Sequence, residues 1–339
     1  MENLKEESQV DKQKIMIKVL NILQQKSSRA IDEAKNQILA EKIESERARR
    51  ALEYYVKNWN DTTHPGILAL VCEAVGGNIV KAVPIQVVML YLTAAMDLHD
   101  DIVDQSKVKN GKPTVFGKYG KDISLLLGNA MMINGFTLLC DYGKELTSEA
   151  FRTVTRIIQT SLFDIGNAHL LETDLKGEVD IKPMRYLAIL EKKASIIETH
   201  TKIGAIIGGG SLDEIKALTR YGKILGMLVS IREEFIDVFE PKELQNRMKN
   251  EILPLPLLYA FKNSGVKSEL LNILSKPKVS DADADKLIEC IFQDKNVRKL
   301  SDYMKKLAEE AAEIILSTLK DKQAVKNLTL LIEGSLEDI

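Results

Sequence analysis

Cysteine is scarce: Cys72, Cys140 and Cys290 stand far apart, with no CxxC pair and no Cys/His cluster. That argues against a disulfide framework or a structural zinc site, and it points to a reducing compartment. Proline (8) and glycine (19) are too few for linkers, collagen or low-complexity disorder. An excess of one charge is also missing, since 47 Lys and Arg meet 49 Asp and Glu for a net charge of −2. No strong field therefore draws the chain to nucleic acid or anionic lipid. The longest apolar stretch, Ala82 to Met96, contains Pro84 and Gln86 and ends on Asp97. It falls short of the roughly 20 apolar residues of a membrane span and reads as a buried core helix. The opening MENLKEESQVDKQK is charged and lacks the apolar core of a secretory signal. The expectation is a cytoplasmic protein with no transmembrane segment and no nucleic-acid partner.

Apolar residues, 45% of the chain, recur at helical spacing almost throughout. Ile15, Val19, Ile22 and Leu23 begin one stripe; Ala30, Ile31, Ala34, Ile38 and Leu39 continue it. No run of alternating β-branched residues is flanked by hairpin turns. The spacing predicts helices over 11–25, 28–58, 65–75, 81–106, 119–142, 147–176, 184–207, 212–239, 249–262, 266–275, 281–292, 296–319 and 322–335. Breaks are marked by Thr63 to Gly66, Gly76-Gly77, Asn110 to Pro113, Gly208 to Gly210 and Lys276-Pro277. Ser211 and Asp213 are expected to cap the helix after the three glycines. No segment is long enough to separate two domains, and no repeat of tens of residues is present. The prediction is one all-α domain over 1–339, a thick helical bundle on which the helices of 1–60 pack. Met89, Met131 and Met132 read as core filler.

Acids then arrive where a core helix should end. In LHDDIVD, Leu98 to Asp104, several apolar turns run into Asp100, Asp101 and Asp104, with Asp97 just before. At 3.6 residues per turn Asp97, Asp100 and Asp104 share one face. Like charges at this spacing destabilise a helix by a few tenths of a kcal/mol per pair. A hard cation is the natural compensation, and carboxylate oxygens suit Mg²⁺. A second helix repeats the pattern: EEFID brings Glu233, Glu234 and Asp237 at i, i+1 and i+4. Two such faces across a bundle cavity would clamp a diphosphate through metal ions. The plainer alternative is a pair of solvated faces. A carboxylate-bridged di-iron bundle needs Glu-x-x-His on two helices, which His64, His99, His169 and His200 do not supply.

These residues resemble the trans-isoprenyl diphosphate synthase family, among the all-α isoprenoid synthases. LHDDIVD is similar to its first aspartate-rich motif, and Gly111 to Thr114 (GKPT) to the turn that follows. Tyr221 to Gly226 (YGKILG) with EEFID looks like the stretch carrying the second motif, Glu replacing two Asp. Gly76-Gly77 resembles the start of the family's GGKR, and Lys192 falls where the family has a diphosphate-binding lysine. The resemblance implies one large helical bundle around a central cavity. It implies three Mg²⁺ ions binding an allylic prenyl diphosphate whose cation is captured by an acceptor. Asp100 and Asp104 would ligate two metals and Glu233 the third, supported by Asp101 and Asp237, with Lys192 on the diphosphate. Homodimers are expected.

The departures concern the second substrate of chain-elongating members, isopentenyl diphosphate. The basic GGKRxRP becomes Gly76 to Ala82 with only Lys81 as a cation. The family's histidine falls at Thr93, its arginine pair at Lys109-Asn110 beside Lys107, and an aromatic-Gln pair at Val229-Ser230. Each lost charge-assisted contact costs roughly 1.5–3 kcal/mol. Three readings follow: a chain elongator, a terpene-synthase-like enzyme or prenyltransferase with another acceptor, and a non-catalytic subunit. Arg247 and Lys249, in a polar stretch over 246–251, are expected to close over the diphosphate, and Arg232 is a further candidate. His99 reads as a packing residue. Ala95 and Met96 leave room below the metals for a farnesyl-sized or longer chain, with Tyr91 as the pocket floor.

Overall fold

The computed structural model describes residues 2–109, 111–277 and 279–337, with side chains from Lys14 onward except Lys242. It is all-α, 82% helical. The first helices are α1 Glu2–Ala40, α2 Glu46–Asn58, α3 Thr63–Ala74, α4 Ile79–Val103, α5 Val115–Tyr119 and α6 Lys121–Tyr142. Next come α7 Ser148–Asp174, α8 Pro183–Lys193, α9 Ser195–Ile207, α10 Leu212–Ile236 and α11 Pro241–Asn250. The chain closes with α12 Leu255–Ala260, α13 Ser264–Leu274, α14 Asp281–Gln293, α15 Lys295–Thr318 and α16 Lys322–Ser335.

Boundaries depart from expectation where side chains satisfy the backbone. The break expected near residue 26 is absent: α1 runs straight through it, with Ser27 buried and its hydroxyl turned back to the Gln24 carbonyl at 3.4 Å. The chain breaks instead at 41–45, without Gly or Pro. There Arg49 Nη1 donates to the Glu41 carbonyl at 3.0 Å, and the Ser45 hydroxyl accepts the Ala48 N–H at 3.3 Å. The helix expected over 184–207 divides at Ala194, and that expected over 249–262 is replaced by α11 and α12. Ser211 caps α10 as expected: its hydroxyl accepts the Glu214 N–H, and Glu214 Oε2 accepts the Ser211 N–H at 2.8 Å. A small hairpin was not expected: β1 Val108–Lys109 pairs antiparallel with β2 Lys112–Pro113. Gly111 turns it at φ 72°, while Asn110 lies outside the described residues.

The chain divides into two compact units. The first holds Ile17–Ile158 and His200–Ile215. Its core gathers Ala34 and Ile38 of α1, Leu52 of α2, Leu90, Ala94 and Leu98 of α4, and Leu127 and Met131 of α6. Each fully buried Leu or Ile contributes roughly 1.5–3 kcal/mol relative to exposure, which fixes α4 in place. Gln86, buried within α4, donates to the Pro65 carbonyl at 2.7 Å and so finds a partner for its own buried amide while tying α4 to α3.

The second unit holds the start of α1 through Met16, Gln159–Thr199 and the chain from Lys216 onward. Tyr186, Tyr221, Leu228 and Phe235 are buried in it, and Tyr221 donates its hydroxyl hydrogen to the Leu328 carbonyl at 2.9 Å. A Cβ on Gly226 would lie 2.6 Å from the Ala194 carbonyl oxygen, so glycine lets α10 press on the α8–α9 junction.

Two spans, Ile79–Val103 and Lys121–Glu145, are long and apolar enough to cross a membrane by length and composition. In the first, 67% of the apolar window is buried inside the fold, as a core helix requires; in the second the share is 33%.

Candidate active site

Thr93, Asp97 and Asp100 follow at i, i+4 and i+7 along the unbroken α4, and Asp104 at i+11 is its C-cap, so they form one polar stripe. Asp97 is exposed, Asp100 and Asp104 are half-buried, and Asp101 beside the stripe is buried. The hairpin returns Lys109 to these acids, its Nζ 2.8 Å from Asp101 Oδ1 and 3.5 Å from Asp97 Oδ1. Burial raises the Asp101 carboxyl, the Lys109 ammonium only partly opposes it, and its pKa rises to about 6. Burial works against the Lys109 charge, but Asp97 and Asp101 outweigh it and push its pKa up.

The end of α4 is held by backbone. Ser106 N–H bonds the Asp101 carbonyl at 2.9 Å and Gln105 N–H the Ile102 carbonyl at 3.4 Å, the Schellman arrangement. Gln105 occupies its left-handed position at φ 55°, where glycine is usual. The GKPT turn is a brace: the Thr114 hydroxyl donates to the Ser106 carbonyl at 2.7 Å and accepts the Gly117 N–H at 2.9 Å. His99 packs as expected, since a Cβ on Gly128 would meet its Nε2 at 2.4 Å.

Several expected residues do not join this stripe. Lys81 lies on the same helix 19 residues before Asp100, about 28 Å along the axis, and cannot share a diphosphate with it. Gly76-Gly77 is equally remote and serves packing: a Cβ on Gly77 would lie 2.4 Å from the Gly208 Cα. Tyr91, nine residues before Asp100, is two and a half turns away and so on the opposite face. It and Ala95 belong to the packed core with Ile38, Leu52 and Met131. Met96, about one turn before Asp100, stays on the acid side and is half-buried.

The acids of α10 behave differently. Glu233 is exposed, Glu234 is buried and Asp237 is half-buried where α10 passes into a 3₁₀ turn, Asp237–Phe239. Arg247 faces them from α11 and is 4% exposed. Its Nη2 donates to Glu234 Oε1 at 3.0 Å and to Tyr186 Oη at 2.9 Å, Nη1 to Asp237, and Nε to the Ile252 carbonyl at 2.8 Å. Glu234 also accepts the Tyr186 hydroxyl at 2.8 Å and the Leu255 N–H at 2.8 Å. The expected closing loop over 246–251 is thus mostly helix. Arg247 is held by charge and geometry in a buried network and is no mobile anion clamp. Lys249, on the same helix, is exposed. Lys192 sits half-buried in the last turn of α8, while its neighbour Lys193 is tied to Glu172 at 2.7 Å. Arg232 Nε donates to the Glu337 carbonyl at 3.3 Å.

Sequence reading passed over Tyr186 and the role of Glu234, for which an aromatic facing an acidic helix end gives no local signal. It also passed over Asp61, whose i, i+3 spacing to His64 before a helix was the available clue.

The α4 donor set is all carboxylate oxygen, the set a hard divalent cation takes, and Lys109 already stands as a cation among it. Among the described residues no group of three or more His, Cys, Asp or Glu is arranged to hold an ion by itself. The residues fit an ion that also draws on water and substrate phosphate, as Mg²⁺ does.

A polyprenyl synthetase family profile matches residues 45–291. A short chain isoprenyl diphosphate synthase of Methanothermobacter thermautotrophicus is 28% identical over 229 residues, covering 67% of this chain and 69% of the relative. A geranylgeranyl diphosphate synthase of Methanosarcina mazei is 26% identical over 267 residues, 76% and 79% of the two chains. The fold matches geranylgeranyl pyrophosphate synthetase from Pyrococcus horikoshii with TM-score 0.82 at 20% identity, covering 96% and 99%. A polyprenyl synthase from Caulobacter crescentus, solved with calcium and isoprenyl diphosphate, matches with TM-score 0.76 at 18% identity over 94% and 97%. The chain belongs to the polyprenyl synthetase family. It is a prenyltransferase of the isoprenyl diphosphate synthase type.

Proposed function

We propose that the chain is Mg²⁺-dependent, with three ions, and ionises an allylic prenyl diphosphate of farnesyl size or longer. The observation that carries this is the Thr93–Asp97–Asp100–Asp104 stripe on a rigid, core-packed helix. Asp100 and Asp104 hold metal there, and Glu233, the exposed acid of EEFID, holds a further one. Bound Mg²⁺ supplies Lewis-acid neutralisation of the departing diphosphate. Lys192 donates to a diphosphate oxygen as a point charge. Asp101 and Asp237 keep their neighbours in position, and Arg247 orients Asp237. Met96, on the acid side of α4, limits chain length, so Met96→Phe is expected to shorten the product.

Lys109 favours a second reading. It pairs with Asp97 and Asp101, and Lys81 is a helix length away. That supports an acceptor other than isopentenyl diphosphate, or the substrate's own double bond, as in terpene synthases. The chain pairs with a second copy through α6, where Leu126 is 66% and Ile133 64% exposed, flanked by exposed Leu125 and Phe136. Light scattering reads this directly, and a monomer at working concentration overturns it.

The purified protein is incubated with Mg²⁺ and farnesyl or geranylgeranyl diphosphate, with and without isopentenyl diphosphate, and products are read by mass spectrometry. A longer diphosphate formed only with isopentenyl diphosphate supports elongation, and a hydrocarbon or alcohol formed without it supports the second reading. Diphosphate release that Asp100→Ala leaves unchanged overturns both.

A further inference from the structure

One helix of the first unit fixes both sides of the gap in which Lys109 meets the acids. Tyr54 and Tyr55 are neighbours on α2 and so point about 100° apart. The Tyr55 hydroxyl reaches α4, 3.5 Å from the Ala94 carbonyl and within hydrogen-bonding reach of the Asp97 side chain. Its ring is buried and stacks on Trp59 with centroids 5.7 Å apart. The Tyr54 hydroxyl reaches the hairpin instead and donates to the Pro113 carbonyl at 2.6 Å. Pro113 pairs with Val108 across the hairpin, and Lys109 follows Val108 directly. The bonds of Thr114 to the Lys107 and Ser106 carbonyls lie within the hairpin segment itself, whereas Tyr54 acts from 59 residues away.

The Tyr54 ring is held independently of its hydroxyl. Lys118 Nζ stands 3.9 Å from its centroid, and the Tyr119 ring packs at 5.9 Å, tilted by 58°. Tyr119 is itself tied to α2: its hydroxyl donates to the Arg50 carbonyl at 3.2 Å, and its own carbonyl accepts Arg47 Nη2 at 2.8 Å. Removing the Tyr54 hydroxyl therefore leaves the aromatic packing in place and releases one bond to the strand. Lys109, 44% exposed, has solvent on one side and Asp97 and Asp101 on the other. The position of its strand decides between them.

We propose that Tyr54 is a positioning residue: by gripping Pro113 it keeps Lys109 against Asp97 and Asp101, and so sets how tightly the α4 stripe takes up a divalent cation. The inference rests on the metal-dependent prenyl-transfer reading above. The ammonium has the sign of the incoming ion and occupies carboxylates at the same helix end, so each weakens the other's hold. A strand released from Tyr54 lets Lys109 pass into solvent, and the acids then answer to the ion alone.

Equilibrium dialysis of the full chain against Mn²⁺, up to millimolar concentration and without substrate, reads the uptake that Asp100→Ala removes. Tyr54→Phe is expected to tighten that uptake about threefold, roughly what one net hydrogen bond is worth in an equilibrium. Lys109→Met is expected to tighten it about tenfold. In the double variant the Tyr54→Phe step should vanish, because no ammonium is left to release. General loosening of the fold would weaken uptake in both backgrounds, so a merely structural role cannot imitate this pattern. Unchanged or weaker uptake in Tyr54→Phe, or a threefold step that persists beside Lys109→Met, overturns the inference. Unchanged uptake in Lys109→Met overturns it without recourse to Tyr54. A wild-type chain with no uptake that depends on Asp100 overturns it as well. The assay above then judges prenyl transfer separately: diphosphate release that still needs Asp100 leaves that reading standing, and release that does not overturns both.

Discussion

At the end of α4, Asp97 and Asp101 pair with Lys109, which is carried on a short hairpin and is 44% exposed. At the end of α10, Glu234 and Asp237 answer to a buried arginine that also binds Tyr186 and the Ile252 carbonyl. In sequence the two endings look alike, an apolar helix running into clustered acids. The ammonium of Lys109 is a compact, half-exposed point charge. The guanidinium of Arg247 is a fixed fork whose partners are all used. Repeated acidic patterns thus meet two kinds of counter-charge: a half-exposed lysine at one end, and at the other a buried arginine that spends Glu234 and Asp237 largely on architecture.

The largest expected difference is in the counter-cations. Arg247→Met leaves Glu234 buried and uncompensated and should cost about 3–5 kcal/mol of stability. Lys109→Met removes a half-exposed partner from buried Asp101, whose carboxyl already titrates near 6 and can take up a proton instead, so the loss should be smaller, about 1–2 kcal/mol near neutral pH. Denaturant midpoints decide this, and equal losses would collapse the comparison.

A smaller effect, opposite in sign at the two ends, is expected from neutralising one acid. Asp101 has a folded pKa near 6, raised above its unfolded value. The folded state thus binds that proton more tightly, and stability falls as pH rises between the two values and stays lower above them. In chelator at about pH 8, Asp101→Asn should stabilise by about 1–3 kcal/mol, a gain that fades in acid. Glu234→Gln should instead destabilise by about 1–3 kcal/mol, since a neutral amide pairs poorly with Arg247. Thermal melts across pH read both, and a destabilised Asp101→Asn at high pH would remove the distinction. The smallest effect is at Gln105, where Gln105→Gly relieves a left-handed strain but adds unfolded-state freedom. A net change within about 1 kcal/mol in its melting curve is expected.

Much of this was legible. Helical spacing and the glycine and proline breaks located most elements, and the i, i+3, i+7 acids of α4 needed only the helical repeat. The break at 41–45 was not legible, because Arg49 and Ser45 do there what a glycine does elsewhere. Arg247 was misread for a related reason. Its polar neighbours suggest a loop, but partners 10, 13 and 61 residues away fold it inward. Tyr91 was misjudged because counting back from Asp100 gives distance along the helix, and half a turn of rotation decides which face it joins.

The sequence by itself determined the helical class, the acidic helix ends and the family, since these depend on local periodicity and short-range spacing. The tertiary structure decided which basic residue each set of acids meets, Lys109 or Arg247, and that Asp61 meets both His64 and Thr93. Burial and counter-charge belong to neighbours brought together by folding, and no local pattern encodes them.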